Sequence, residues 1–113
     1  MADPRAFLPL THLLYAVLLS LVEAADHPYQ LVRRIRDRSS GRIDPGTGSF
    51  YSVLAQAERQ GLIRECSSQD DARRRVYEIA PLGRRVLAAE AERLTAQLRD
   101  TKAALRPAGK KAT

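Results

Sequence analysis

The sequence is poor in the residues that most often carry chemistry: 113 residues include one cysteine, two histidines and no tryptophan. A lone thiol makes no internal disulfide, and Cys66, His12 and His27 lack zinc-ligand spacing. Cys66 reads as a small strand residue, with a redox switch as the alternative, and this cysteine usage fits a reducing cytosol. The histidines lie far apart, and neither has a carboxylate pair around it. Without a nucleophile–base arrangement, a phosphate-binding lysine loop or a metal cluster, the chain reads as a non-enzyme with no cofactor and no metal. No secretory n-region is present, and the first residues read as an ordinary ragged start. The most apolar stretch, Leu13 to Val22, is about half the length of a bilayer-spanning helix, so no membrane partner is expected. There is no internal repeat.

What is present is basic. Nineteen Lys and Arg against thirteen Asp and Glu give a net charge of +6, and only Lys102, Lys110 and Lys111 are lysines, which leaves sixteen arginines. Arginine suits bidentate phosphate and guanine contacts better than lysine does. Placement says more than the total. Arg33, Arg34, Arg36, Arg38 and Arg42 crowd one stretch, and Arg73, Arg74 and Arg75 form an unbroken run. The length allows one domain, and 44% hydrophobic residues can build its core, although a domain this small is helped by oligomerisation.

Residues 1–8 carry no pattern and read as a loose arm. Leu10, Leu13, Leu14, Val17, Leu18, Leu21 and Val22 have helical spacing, which predicts a first helix from Leu10 to about Ala24 with Pro9 at its start. Tyr15, Ala16 and Leu19 extend its apolar surface, so it should be buried on more than one side, the second side against a partner subunit. A second helix is predicted over Pro28–Arg38, with Asp26 or His27 near its cap, ended by Ser39-Ser40-Gly41 with Gly41 left-handed; Ile43 is expected in a brief strand. A third helix is predicted over Ser49–Gln60, capped by Thr47 or Ser49, with Phe50, Val53, Leu54 and Ala57 inside and Gly61 as its stop. Leu62-Ile63 and Val76, Tyr77, Ile79 bracket the polar tip 67–71 and read as a hairpin. From Pro81 to about Arg106, two sevenfold series, Leu87/Leu94/Thr101 and Ala91/Leu98/Leu105, form a seam of about three heptads. The seam overhangs a domain of this size, which favours a dimer over packing on the chain's own first helix.

Three helices, a two-stranded hairpin and a trailing helix define a mainly α chain with a small β-hairpin: a winged helix-turn-helix plus a long C-terminal dimerisation helix. A helix fits the major groove, where base edges carry a readable donor–acceptor code, and a hairpin can straddle phosphates or reach the minor groove. The domains follow as an arm over 1–8, a DNA-binding winged helix over 9–80, a dimerisation helix over 81–106 and a disordered basic tail over 107–113.

Three ordered motifs carry a resemblance. Gly48-Ser49-Phe50-Tyr51, then Leu54 and Gln60-Gly61-Leu62-Ile63, resembles the Gly-Thr-Leu-Tyr, Leu, Gly-Leu-Ile pattern of the PadR transcriptional regulators. His27-Pro28-Tyr29-Gln30-Leu31 is similar to that family's His-Gly-Tyr-Glu-Ile, and Arg73-Arg74-Arg75-Val76-Tyr77-Glu78-Ile79-Ala80-Pro81-Leu82-Gly83 to its Arg-Arg-Tyr-Tyr-Arg-Leu-Thr-Pro-x-Gly signature. The match covers roughly residues 8–98. It implies a prokaryotic repressor that dimerises through its first and last helices, binds inverted repeats and releases DNA to a small hydrophobic or phenolic effector. Pro28 departs from the usual glycine, Ala57 stands where a recognition-helix arginine is common, and without tryptophan no pocket of stacked indole rings carries over.

The expected contacts to double-stranded DNA are Tyr29, Arg33, Arg36, Arg38, Arg42, Thr47, Ser49, Tyr51, Ser52, Gln56, Arg73, Arg74 and Arg75. The expected homodimer interface is Leu14, Leu18, Leu87, Ala91, Leu94, Leu98 and Leu105. An apolar effector would use a dimer groove lined by Leu14, Leu18 and residues of the last helix. Plainer alternatives stay open: a solvated arginine face, wing arginines paired with Asp70 and Asp71, Tyr51 as a core aromatic and Ser49 as a cap only. Two other functions compete with the repressor, which is expected in the cytoplasm on the nucleoid. One is a winged-helix protein-interaction module or antirepressor without DNA binding, suggested by the mild Ala55-Gln56-Ala57 surface. The other is an architectural DNA binder using Lys110 and Lys111.

Overall fold

A computed structural model describes residues 2–66 and 74–107. Helix α1 runs over His12–Glu23, later than the apolar spacing implied, because the Thr11 side chain takes the cap by accepting the Leu14 N–H at 3.2 Å. Pro9 and Leu10 therefore lie outside it. Val17 and Leu18 are fully buried, and α1 touches α2 (Pro28–Arg38), α3 (Thr47–Arg59), β2 (Tyr77–Ile79) and α4 (Pro81–Leu105). The chain's own elements thus cover most of the apolar circumference that suggested a partner subunit. Leu18, expected at a dimer interface, belongs to this core and has no surface left to offer.

The N-terminal residues are not the loose arm that their lack of pattern suggested. Pro4–Phe7 form a 3-10 turn capped by Asp3, whose carboxylate accepts the Arg5 N–H at 3.0 Å. The turn packs on α4, and Phe7, Leu8 and Leu10 cover the core. Their tie is Glu90, a carboxylate only 2% exposed. It accepts the Leu10 N–H at 2.9 Å and the Arg93 guanidinium at 2.5 and 3.1 Å. The Arg93 bonds, helped by the Leu10 N–H, hold the carboxyl below its usual range against the opposing effect of burial.

Helix α2 occupies the predicted span, with His27 as its N-cap and Leu31 and Ile35 buried. It closes in a Schellman motif in which the Gly41 N–H reaches the Arg36 carbonyl at 2.9 Å and the Ser40 N–H reaches that of Asp37 at 3.2 Å. Ser40 itself (φ 52°) holds the left-handed closing position assigned to Gly41, which follows at φ 81°. Ile43 is in no strand, because its N–H is taken by the Ser39 hydroxyl at 3.0 Å in the turn. Helix α3 begins two residues early: Gly46 is the N-cap and no side chain caps it, so Thr47 and Ser49 lie in its first turn.

Strand β1 (Ile63–Glu65) pairs antiparallel with β2, with Ile63 opposite Ile79 and Glu65 opposite Tyr77. Asp26 adds a bridge on the far side of Tyr77. Every residue of α4 from Leu94 to Leu105 is exposed. The radius of gyration is accordingly 16.9 Å, against about 13 Å for a compact chain of this length.

Two outcomes follow. A Cβ built on Gly83 would lie 2.1 Å from the Leu62 carbonyl oxygen, a backbone atom that cannot swing aside. Gly83→Ala should therefore cost about 2–3 kcal/mol in urea unfolding. Glu90→Gln should cost about 1–2 kcal/mol at neutral pH. Because folding lowers the Glu90 pKa, its contribution is complete above the unfolded value of about 4.3 and is lost as pH falls through the folded one. The deficit of the variant, followed by thermal unfolding, should narrow below about pH 4.3.

Candidate nucleic-acid interface

Phe50, Leu54 and Ala57 fix α3 to the core, which leaves Ser49, Ser52, Ala55, Gln56 and Arg59 on its outer side. Ser52, Gln56 and Arg59 follow helical spacing, so Arg59 continues the expected stripe into the last turn. Sequence reasoning passed over Arg59, although its offset from Ser52 and Gln56 was the available signal. At the other end of α3, a cleft of about 410 Å³ separates it from α2. Tyr29, Arg33, Arg36, Thr47 and Tyr51 line this cleft, which brings five expected contacts together. Tyr29 is 66% exposed. Tyr51 is half-buried, its ring edge-on to Phe50 with centroids 5.8 Å apart, so it has both a packing role and a face to the cleft.

The arginines of α2 divide between two directions, as a 100° step per residue requires. Arg33 and Arg36 face the cleft, where Arg33 is exposed and the Arg36 Nε donates to Asp44 at 2.6 Å. Arg34 turns back to close α1, donating to the Ser20 carbonyl at 2.5 Å and the Ala24 carbonyl at 3.3 Å and pairing with Asp26 and Glu23. Arg38 pairs with Glu23, and that hydrogen bond raises the arginine pKa and lowers the carboxyl one. Arg38 and Arg42 border a different cavity, of about 250 Å³, with Tyr15 and Leu19 of α1. The structure therefore does not bring these two into the α2–α3 cleft.

In the wing, Arg73 lies outside the described residues, as do Asp70, Asp71, Lys110 and Lys111. Arg74 is exposed, and its carbonyl oxygen lies 3.1 Å from His27 Nδ1. Arg75 stands 3.7 Å from Glu65 and is hydrogen-bonded to the Tyr77 side chain, which raises its pKa. The Arg64 Nε donates to Glu78 directly across the strands at 2.6 Å. Cys66 follows β1, and its thiol donates to the Val76 carbonyl at 3.4 Å; burial pushes its pKa up.

The expected dimer residues on α4 form a graded ridge. Leu87 is half-buried against the core, Ala91 is exposed, and exposure rises through Leu94 and Leu98 to Leu105, at 39%, 55% and 77%. Leu14 instead lines a groove of about 430 Å³ with Phe7, Leu10, Val53, Gln56 and Ala57. That groove runs between the N-terminal turn and α3, and neither Leu18 nor α4 borders it.

No helix among the described residues is long and apolar enough to cross a membrane. The fold is similar to that of a transcriptional regulator from Clostridium thermocellum (20% identity, TM-score 0.70), with 90% of this chain and 96% of that one aligned. It is also similar to a PadR family transcription regulator from Clostridium difficile (17% identity, TM-score 0.72), covering 85% of this chain and all of that one. A third likeness is to the PcaV regulator of Streptomyces coelicolor, solved with its natural ligand (23% identity, TM-score 0.65; 91% and 67% covered). No curated protein matches the chain in sequence. The model of the PadR-like transcriptional regulators matches residues 17–89. That span takes in α1 from Val17 onward, α2, α3, the hairpin and the first turns of α4, and the chain belongs to the PadR-like family of transcriptional regulators.

Proposed function

We propose that the chain is a sequence-specific DNA-binding repressor that works as a homodimer on an inverted repeat in the cytoplasm. The observation that carries this reading is the cleft between α2 and α3, where Tyr29, Arg33 and Arg36 stand beside the free first turn of α3. Backbone N–H groups at that turn and the adjacent guanidinium groups suit a phosphate. The outward stripe Ser49, Ser52, Gln56, Arg59 would then enter the major groove, with Arg74 of the wing reaching the flanking backbone or minor groove. The ridge Leu94, Leu98, Leu105 supports the homodimer, since exposed leucines at heptad spacing are what a second copy would cover. Leu98→Glu should turn a dimer into a monomer in sedimentation; a wild-type monomer would remove the reading of a symmetric operator. A small hydrophobic or phenolic effector fits the Leu14 groove, where it would press on α3 near Gln56.

The pairing of Arg36 with Asp44 and of Arg38 with Glu23 favours a second reading, a protein-interaction module or antirepressor without DNA binding. Gel shift with genomic fragments separates the two, because such a module retards no band; equal retention of every sequence would mark an architectural binder instead. Under the repressor reading, Arg33→Ala should weaken operator binding about tenfold and reduce the salt slope by about one. Asp44→Asn frees Arg36 and should strengthen binding to operator and unrelated DNA alike, measured by fluorescence anisotropy at several salt concentrations.

A further inference from the structure

Each strand of the wing is three residues long, and Arg74 lies past the last described rung, the Cys66 N–H on the Val76 carbonyl at 2.8 Å. A two-stranded ribbon of that size is marginally stable on its own. Backbone that is fixed before docking lowers the ordering cost of binding. One side chain of the helical body reaches across to it. His27 is the N-cap of α2, but its ring does not cap the helix. The ring points to the wing instead, with Nδ1 at 3.1 Å from the Arg74 carbonyl oxygen, a contact spanning 47 positions in sequence. A carbonyl only accepts, so this nitrogen carries the proton and donates.

The platform behind the ring is fixed. The His27 N–H donates to Asp26 Oδ1 at 2.8 Å, and its carbonyl accepts the Leu31 N–H at 3.0 Å. Asp26 exchanges two backbone bonds with Tyr77, at 3.1 and 3.0 Å, and its carboxylate holds Arg34. Residue 27 is thus tied to α2 directly and to β2 through Asp26, and its ring is a short strut from that junction to the outer wing.

The geometry points to His27 as a positioning residue for the wing. Its Nδ1–H bond fixes the Arg74 backbone, so that the exposed Arg74 side chain stands in register with the α2–α3 cleft when both meet one duplex. This role rests on the DNA-binding reading above.

The test uses the duplex that the intact protein selects from random DNA. His27→Ala should bind it about three- to tenfold more weakly, with the salt slope reduced by about one. His27→Asn, which keeps a side-chain N–H donor, should recover most of the loss. In an Arg74→Ala background, His27→Ala should cost nothing further. Losses that multiply, or an asparagine variant as weak as the alanine one, overturn the proposal. Trypsin cleavage at Arg74 in the DNA-free protein supplies a readout that DNA binding does not enter. It should be faster in His27→Ala and of wild-type rate in His27→Asn, and equal rates in all three overturn the strut. Wild-type protein that selects no sequence overturns the DNA-binding reading and this role with it. Normal wild-type binding with an unaffected His27→Ala overturns the inference alone.

Discussion

The backbone of Leu62 is the junction on which the arrangement of the other elements depends. Its N–H closes α3 on the Ala57 carbonyl at 2.9 Å, with Gly61 at φ 79° making the turn. Its carbonyl accepts the Ala80 N–H at 2.9 Å, and its side chain is fully buried. The same carbonyl oxygen lies where a Cβ on Gly83 would be, so α4 crosses at a distance only glycine permits. One residue's backbone therefore sets the end of α3, the start of the hairpin and the departure of the long helix. A dimer joined along α4 would pass its geometry to α3 through this contact without any flexible linker.

Around that frame, short-range electrostatics select which cations remain available. A net charge of +6 would attract a polyanion from a distance, but contact would fall to groups that are not already committed. Arg34 is spent on the end of α1, Arg38 on Glu23 and Arg75 on Glu65 and Tyr77, whereas Arg33 and Arg74 are exposed. Arg36 lies between these cases, since its partner Asp44 sits on an open loop in competition with solvent and with any phosphate. Surface pairs of this kind are weak, so Asp44 tempers the attraction of the cleft without abolishing it.

Much of the fold was legible in the sequence because its signals are local. Helix spacing placed α2 and nearly all of α4, and turn residues placed the hairpin, whose strands have the expected residues Ile63, Tyr77 and Ile79. Two misplacements come from side chains that claim backbone donors in ways the local pattern does not show. The Thr11 hydroxyl takes the cap of α1 and the Ser39 hydroxyl claims the Ile43 N–H, so the helix starts later than its pattern and no strand forms at Ile43. The candidate site was legible as a set of cations but not as a surface, since Arg33, Arg34, Arg36 and Arg38 differ only in the direction they take around one helix.

What the sequence determined by itself is the order of the four helices and the hairpin, the basic character and the heptad ridge of α4, because periodicity and composition act within a few residues of each position. Tertiary structure alone decided that Leu18 belongs to the core and that the N-terminal turn is clamped by Glu90. It likewise decided which arginines are spent on carboxylates and that His27 faces the wing. Those outcomes depend on distances between residues remote in the chain, which no local pattern encodes.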